Sequence, residues 1–343
     1  MTKKITIAID AMGGENSPKK NIEGLNMFLK KNKSNDFFIH LYGDEKSIKK
    51  ELSLVNASTE NIKIIHSEGV VSDEESPMKA VKSSKNTSMW NSVSAQVDGN
   101  ADISLSAGNT GVLLVISRMI LKMMKEVSKP ALAGLWPSKK GMTVVLDLGA
   151  NIECDEKNLV DFSEMGSALF KSIFPDITPK VSLLNIGSEE VKGTEMLKKA
   201  FNKLKTLDNN NFVFNGYIEG NELMDGDSNV VITDGFTGNV ALKTAEGTAK
   251  FIIDNLKISL TENIFSKFSL IFSYFSLKKF KSKLDPRKYN GAIFLGLNGP
   301  VVKSHGSTDS VGFYHSINLC YKIIKGNLMG EIKNNLNHLN AKD

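Results

Sequence analysis

Six short loops contain most of the residues in this sequence that could do chemistry. Each loop follows a short apolar run and combines Gly with Asp, Asn, Thr or Lys. Glycine lets a backbone approach a ligand closely, and amide groups at the start of a helix suit an anion. The loops therefore predict an anion-binding site, although turns and helix caps need the same residue types. The loops span residues 10–14, 106–111, 147–151, 185–193, 234–239 and 296–306.

Apolar, β-branched runs alternate with segments of helical periodicity, and these are the elements that must position the loops. Such alternation is typical of parallel strands joined by crossover helices. It predicts a three-layer α/β/α fold with a mostly parallel sheet, in one domain over residues 1–343. Because the carboxyl ends of parallel strands meet at one edge, we expect all six loops to line one cleft. The predicted strands are 5–9, 37–41, 62–65, 103–105, 143–146, 181–185, 230–233 and 293–295, and the predicted helices are 19–29, 111–122, 159–170, 194–204 and 241–256.

The composition excludes several classes of protein. The 343 residues are 41% apolar and 24% charged, which is typical of a soluble globular protein. Two Cys are too few for a disulfide scaffold or a cysteine-type zinc site. The apolar runs are too short for a signal peptide or a membrane span, so we expect a cytoplasmic protein.

Sequence signatures of other chemistries are absent. The chain contains no Gly-x-Gly-x-x-Gly, no Walker loop, no His-Glu-x-x-His and no Gly-x-Ser-x-Gly. We therefore expect neither a metal nor a nicotinamide cofactor. Of the 43 basic residues only Arg118 and Arg287 are arginine, and arginine is the usual reader of guanine. A nucleic-acid partner is not expected.

Taken together, the loops resemble those of the phosphate acyltransferases of bacterial phospholipid synthesis, the PlsX family. The resemblance covers residues 5–325, and six motifs in order make it specific where any single one would be weak. They are Ile-Ala-Ile-Asp-Ala-Met-Gly-Gly, Ser-Ala-Gly-Asn-Thr-Gly, Leu-Asp-Leu-Gly-Ala-Asn, Leu-Leu-Asn-Ile-Gly, Asp-Gly-Phe-Thr-Gly-Asn-Val and Val-Val-Lys-Ser-His-Gly. One departure is Glu15, where the family usually carries Asp. The carboxylate is kept, one methylene further from the backbone.

The resemblance implies a fold like that of the phosphate acetyltransferases and the isocitrate and isopropylmalate dehydrogenases, assembled as a homodimer. The implied reaction transfers a long-chain fatty acyl group from acyl carrier protein to inorganic phosphate. Its product, an acyl phosphate, would be used by a glycerol-phosphate acyltransferase that leads to phosphatidic acid. Because phosphate is already anionic, the site must supply a phosphate cradle, orientation and donors to the tetrahedral oxyanion. No cofactor is implied.

Four residues are candidates for catalysis in such a reaction. Lys192 and Lys303 could neutralise phosphate or the oxyanion, or they could be solvated surface lysines. His305 could protonate the departing thiolate or donate to phosphate, or it could be structural. Asn239 could donate an amide hydrogen. The candidate phosphate- or substrate-binding residues are Asp10, Gly13, Gly14, Ser106, Asn109, Thr110, Asn151, Asn185, Asp234, Gly235 and Thr237.

Some candidates have a second interpretation. The Asn residues could cap helices instead of donating to substrate. Asp10 and Asp234 are expected to orient lysines and backbone groups more than to bind an anion. Cys154 could carry an acyl group, but its loop contains no His, so we expect a small buried residue and direct attack by phosphate.

Residues 257–288 form a basic, aromatic segment, the arm. It holds eight cationic and two anionic residues, a net charge of +6. Its helical spacing predicts one apolar stripe. The stripe fits a helix pair in a dimer, or a surface helix that touches the inner face of the cell membrane while its lysines meet anionic headgroups. The cations also fit an acidic carrier protein. The stripe consists of Ile264, Phe265, Phe268, Phe272 and Phe275.

Other functions stay open at this point. A phosphate acetyl- or butyryltransferase that uses coenzyme A would share the fold and the chemistry. A scaffold protein would show no phosphate-dependent thiol release. A decarboxylating dehydrogenase would need a nicotinamide site and metal-binding carboxylates.

Overall fold

The computed structural model describes residues 4–34, 36–72, 77, 83–207, 210–262, 264–283 and 285–340. The strands in these residues are β1 Ile5–Asp10, β2 Phe37–Gly43, β3 Ile62–His66, β4 Ile103–Ser106, β5 Ala131–Ser138, β6 Gly141–Leu146, β7 Lys180–Leu184, β8 Val213–Ile218, β9 Val230–Ile232, β10 Ala292–Leu295 and β11 Val301–Lys303. The α-helices are α1 Lys19–Lys31, α2 Glu45–Leu54, α3 Ser88–Val97, α4 Thr110–Leu121, α5 Glu156–Ile173, α6 Glu195–Thr206, α7 Gly235–Thr261, α8 Ile264–Lys283, α9 Ser310–Lys325 and α10 Leu328–Asn340.

The eleven strands form one sheet in the order β3-β2-β1-β4-β11-β10-β5-β6-β9-β7-β8. Side chains alternate between its two faces, as the pleat of a strand requires. Ile7 and Ile9 of β1 join the large core formed with α1, α5 and α9, whereas Ala8 packs with Ala95 of α3 on the other face. Helices therefore cover both faces, and the predicted three-layer α/β/α fold is confirmed.

Most neighbouring strands are parallel, but the middle of the sheet is not. β10 is antiparallel to both β11 and β5, and β5 is antiparallel to β6. Three consecutive reversals make β6, β7 and β9 run opposite to β1, β4 and β11. The loops after these two groups of strands therefore leave opposite edges of the sheet. The expectation that all six loops share one edge is wrong, because it assumed one strand direction throughout.

Two loop clusters result, each beyond the carboxyl ends of three strands. The first cluster consists of the loops after β1, β4 and β11, residues 10–14, 106–111 and 303–306. The second cluster consists of the loops after β6, β7 and β9, residues 147–151, 185–193 and 234–239. The remainder of the predicted last loop, residues 296–300, connects β10 to β11 and lies at the other end of β11.

The arm contains α8, which follows the 27-residue helix α7. Phe272 and Phe275 are 88% and 81% exposed. The side chains of Ile264, Phe265 and Phe268 lie outside the described residues. Among the helices of the described ranges, none is both long and apolar enough to cross a membrane.

Candidate active site

Asp10 holds the first cluster together from its buried position at the end of β1. Its carboxylate accepts hydrogen bonds from the Ser106 hydroxyl at 2.6 Å and from the Met12 amide at 3.2 Å. The Ser106 hydroxyl in turn accepts from the Gly108 amide at 3.1 Å. Burial raises the pKa of Asp10 above its ordinary value, and the hydrogen bonds oppose that shift. Asp10 therefore joins the loops after β1 and β4.

Glycines let these loops touch. A Cβ on Gly13 would be 2.6 Å from an Asp10 carboxylate oxygen and 2.7 Å from the Gly108 amide nitrogen. Gly14 has a φ of +83°, a conformation that favours glycine, and its missing Cβ would meet the Lys20 ammonium at 2.8 Å. The main-chain amide of Glu15 donates to the Gly306 carbonyl at 3.0 Å. The three loops of the first cluster are thus in direct contact.

Lys303 and His305 lie in the third loop of this cluster. Lys303 is buried, and its ammonium donates to the carbonyl oxygens of Ala107, at 3.4 Å, and Ser304. His305 is exposed, but surrounding protein atoms and the Lys303 charge lower its pKa, so the ring is neutral near pH 7. Its Nδ1 accepts from the Ser307 amide at 3.3 Å, which places the proton on Nε2. A neutral ring can donate a hydrogen bond through Nε2 but is a weak source of a proton.

The second cluster is organised around Asp147, a buried carboxylate that follows β6. One oxygen accepts from the amides of Leu132, Gly149 and Ala150 at 2.9–3.1 Å. The other accepts from the Asn151 amide at 2.8 Å and from its side-chain Nδ2 at 2.7 Å. Asn151 Nδ2 also donates to the Pro130 carbonyl at 2.6 Å, so both of its amide hydrogens are used inside the protein. This geometry gives Asn151 a loop-holding role.

The start of α7 packs against that loop. Asp234 caps the helix, accepting from the Thr237 amide at 2.8 Å and from the Thr237 hydroxyl at 2.7 Å. The Gly235 amide donates to the Asn151 carbonyl at 2.8 Å. Asn239 is exposed and donates one amide hydrogen to the Leu148 carbonyl at 3.1 Å. Asp234 thus caps α7, and Asn239 faces solvent one turn further along the helix.

The third loop of the second cluster carries Asn185 and Lys192. Asn185 is buried and donates to the Lys192 carbonyl at 3.2 Å, and its Oδ1 has no hydrogen-bond partner. Gly193, with φ +92°, lies against Asn185; a Cβ there would be 2.5 Å from Oδ1. The Lys192 ammonium is about half exposed and pairs with Glu189 at 2.8 Å, which raises the Lys192 pKa. Lys192 therefore lies at the rim of the cluster as a cation paired with Glu189.

Exposed apolar side chains sit beside the polar residues of the second cluster, a feature that the sequence interpretation missed. Each is the immediate neighbour of a candidate residue: Ile152 follows Asn151, Ile186 follows Asn185, Val191 precedes Lys192, Phe236 follows Gly235 and Val240 follows Asn239. All five are more than half exposed. Apolar side chains next to polar donors suit a ligand that has both an apolar chain and a polar head.

The remaining candidates are Asn109 and Thr110, at the start of α4, and Cys154. Asn109 caps α4 by accepting from the Val112 amide at 3.1 Å, and Thr110 is exposed in the first turn. Burial, together with the charge of Asp147, raises the pKa of Cys154 to about 11. Its thiol is therefore protonated near neutral pH and is a poor nucleophile. Among the described side chains, no three of His, Cys, Asp or Glu are grouped to hold a metal ion.

Helix α7 connects the two clusters. It starts in the second cluster, and its Lys243 and Glu246 are near enough to His305 of the first cluster to shift its pKa. Asn239 and Lys243 are four residues apart on the helix, about 6 Å along its axis. The clusters lie at opposite edges by strand direction, and the charges of Lys243 and Glu246 on this helix act on His305 of the first cluster.

Comparisons with known proteins identify the relatives of this chain. Residues 5–330 match the family model described as "Fatty acid synthesis protein". The chain is 54% identical to the phosphate acyltransferase of Pelagibacter ubique over 98% of this chain and 100% of that protein. It is 41% identical to the phosphate acyltransferase of Parvibaculum lavamentivorans over 99% and 94%.

Solved structures with the same fold include two phosphotransacetylases. That of Streptococcus pyogenes has a TM-score of 0.60, 15% identity and coverage of 96% of this chain and 95% of its own. The EutD phosphotransacetylase of Staphylococcus aureus has a TM-score of 0.57, 15% identity and coverage of 94% of both chains. Fold and sequence together define an acyltransferase of the α/β/α type. The chain belongs to the phosphate acyltransferase family, PlsX.

Proposed function

We propose that this enzyme transfers a long-chain acyl group from acyl carrier protein to inorganic phosphate, and that the acyl phosphate feeds phosphatidic acid synthesis. The observation that carries the proposal is the match to phosphate acyltransferases over nearly the whole chain. All six loop motifs lie within the matched residues 5–330.

The chemistry requires little from the protein beyond placement and charge. A phosphate oxygen attacks the thioester carbonyl carbon, a C–O bond forms, the C–S bond breaks, and the carrier leaves as a thiolate that takes up a proton. The cations of Lys303 and Lys192 stabilise phosphate or the oxyanion, and Asn239 donates an amide hydrogen. His305 acts as a neutral donor through Nε2. The neutral Cys154 thiol supports direct attack instead of an acyl-enzyme.

The exposed apolar residues of the second cluster support a fatty acyl donor. Ile186 and Val191 adjoin Asn185 and Lys192 in the chain, and Phe236 lies one helical turn before Asn239, where the thioester would lie. Contact with an acyl chain removes this apolar surface from water, which favours long chains over acetyl groups. The phosphate would then approach from the first cluster, past His305.

The enzyme would act as a cytoplasmic homodimer that touches the inner face of the membrane through the arm. Ala241, Leu242 and Ala245 pack α7 onto the body of the protein. Phe251 and Ile258 share the opposite, exposed side of that helix, a suitable surface for a second copy. The exposed Phe272 and Phe275, with the lysines that follow, would reach lipid. Sedimentation of the purified protein tests the dimer.

One assay tests the reaction. Long-chain acyl carrier protein is incubated with the enzyme, with and without phosphate, and the products are examined for acyl phosphate and free carrier thiol. Acyl phosphate formed only with phosphate supports the proposal. Parallel reactions with long-chain acyl and acetyl coenzyme A identify the donor. A clear preference for acetyl coenzyme A would instead indicate a phosphotransacetylase.

A further inference from the structure

Two buried lysines converge on the first cluster, and only one of them belongs to a recognised loop motif. Lys303 is 8% exposed, and Lys20, in the first turn of α1, is 5% exposed. The Lys20 ammonium donates to the carbonyl oxygen of Gly306, three residues beyond Lys303. Burying an ammonium is costly unless negative charge or strong acceptors are near. Each ammonium has main-chain carbonyl acceptors, and two such groups give this cluster the positive charge that suits an anion.

Both ammonium groups lie near Ala107, in the loop after β4. Lys303 Nζ is 3.4 Å from the Ala107 carbonyl oxygen. A Cβ on Gly14 would lie 2.8 Å from Lys20 Nζ and 3.0 Å from the Ala107 Cβ, so these two atoms are no further apart than the sum of the two distances. The two lysines thus enter from different elements and end in the same cluster, Lys20 at the Gly306 carbonyl and Lys303 at the Ala107 carbonyl.

Several positive charges also act on His305, which lies in the same loop as Lys303. The charges of Lys303, Lys243 and Lys20 lower the pKa of His305, and that of Glu246 raises it. The first turn of α1 contains no acidic residue, and the start of a helix carries partial positive charge. A cation in this turn is unfavourable for the helix alone, which makes Lys20 a candidate for binding an anion.

We infer that Lys20, together with Lys303, forms a subsite for a phosphate group at the first cluster. The inference rests on the proposed function and adds Lys20, which lies outside the loop motifs, as a second cation. Two phosphate groups take part in that reaction. One is the inorganic phosphate that attacks, and the other is the phosphodiester of the carrier's phosphopantetheine arm. The subsite chemistry is the same for both, so the experiment must separate them.

Direct binding is measured first, on the full-length protein without an acyl donor. Inorganic phosphate is titrated calorimetrically into the parent protein, Lys20→Gln and Lys19→Gln, at constant ionic strength. Lys19 is the adjacent residue and is exposed, so its variant loses the same charge from the surface. We expect Lys20→Gln to weaken binding about 10- to 100-fold, since it removes one charged donor, and Lys19→Gln to leave it unchanged.

Kinetics then identify which phosphate group is bound. If the subsite holds inorganic phosphate, Lys20→Gln raises the KM for phosphate and leaves the KM for the acyl donor unchanged. If it holds the phosphate of the phosphopantetheine arm, Lys20→Gln raises the KM for acyl-phosphopantetheine, which presents this phosphate as a monoester, but not for acyl-pantetheine, which has no phosphate. Either result supports the subsite. Unchanged calorimetry and unchanged KM values in Lys20→Gln overturn it, even where acyl transfer itself is demonstrated.

A measurement on the parent protein covers the case in which Lys20→Gln does not fold. Reductive methylation of Lys20 and Lys19 is followed by mass spectrometry, with and without inorganic phosphate and with and without acyl-phosphopantetheine. Slower modification of Lys20 alone, with either compound, supports the subsite. If neither compound changes the rate at which Lys20 is modified, the subsite is overturned. Because phosphate binding and lysine protection need no catalysis, both can succeed even if the proposed acyl donor is wrong.

Discussion

Gly238, in the first turn of α7, lies directly against the main-chain carbonyl oxygen of Asp147 at the end of β6. A Cβ on Gly238 would be 1.9 Å from that oxygen, far inside any permitted contact. The same contact region contains the hydrogen bond from Asn239 to the Leu148 carbonyl. A glycine at this position therefore allows α7 to sit close enough for Asn239 to reach the second cluster.

We expect Gly238→Ala to destabilise the protein and Gly247→Ala to stabilise it. Gly238 has no room for a methyl group, and overpacking of this kind costs about 1–3 kcal/mol. Gly247 lies on the exposed part of the same helix with no atom within 4 Å of its missing Cβ. Alanine there gains up to about 1 kcal/mol of helix propensity. Urea denaturation of both variants measures the two changes, and equal effects would contradict the packing described for α7.

Much of the fold followed from local sequence patterns. The eight predicted strands all exist, because each is a buried, β-branched run between turns. β5, β8 and β11 were not predicted. β5 contains Gly134 and Pro137, which disfavour a strand by composition, and β11 has three residues. Since β5 and the Lys139-Lys140 turn reverse the strand direction, missing β5 led directly to the wrong expectation of a single loop edge.

The loops of the candidate site could be predicted from the sequence, but the residues that reach it through the fold could not. Glycine, Asn and Asp after a strand are visible in the sequence. Lys20 was not predicted, because its burial depends on contact with Gly306, 286 residues away. Ile186 and Phe236 were not predicted either, since an apolar side chain next to a motif is normally core. Only the three-dimensional arrangement shows that these two are exposed.

Lys192→Ala and Lys303→Ala should each lower kcat/KM about 100-fold or more, because removing one charged donor to an oxyanion or phosphate has an effect of that size. Lys198→Ala is the matched control. Lys198 pairs with Glu195 three residues away, as Lys192 pairs with Glu189, but lies outside the second cluster. Steady-state kinetics on all three test the roles. If Lys192→Ala behaves like Lys198→Ala, Lys192 is a solvated surface residue.

Cys154 should react slowly with alkylating reagents and should be dispensable. With a pKa of about 11, its thiolate fraction at pH 8.5 is on the order of 100-fold below that of an ordinary thiol. Iodoacetamide labelling, read on the Cys154 peptide by mass spectrometry, should accelerate steeply as the pH approaches 11. Cys154→Ser should keep acyl-transfer activity. Isolation of an acyl group on Cys154 would refute direct attack by phosphate.

The pKa of His305 should lie below its ordinary value of 6.5 and should rise in Lys303→Met. Removing the Lys303 charge removes a repulsion that disfavours imidazolium, so protonation becomes easier and the pKa increases. NMR titration of the histidine ring protons measures both proteins. His315 is the internal control, because burial and Lys31 lower its pKa and Lys303 is not among its causes. If the His305 pKa is unchanged in Lys303→Met, the Lys303 charge does not act on His305.

The protein should bind anionic membranes reversibly through the arm, and Phe272→Glu should weaken that binding. Phe272 is 88% exposed, so a glutamate there adds a charge to the apolar surface without disturbing a core. Each lysine near an anionic surface contributes about 1 kcal/mol, and the inserted aromatic side chains add apolar burial. Binding should also fall with salt, because salt screens exposed charges. Sedimentation with vesicles that contain phosphatidylglycerol measures both effects.

Leu54→Glu is the matched control for the membrane prediction, since Leu54 is 66% exposed on α2 and lies outside the arm. It should sediment with vesicles like the parent protein. Phe272→Glu should keep its activity on a soluble acyl donor, because it leaves both loop clusters unchanged. If the parent protein does not bind vesicles, or if Phe272→Glu converts a dimer into a monomer, the apolar stripe is a contact between two copies of the chain. If Phe272→Glu stays dimeric and active but no longer sediments with vesicles, the apolar stripe is a lipid contact.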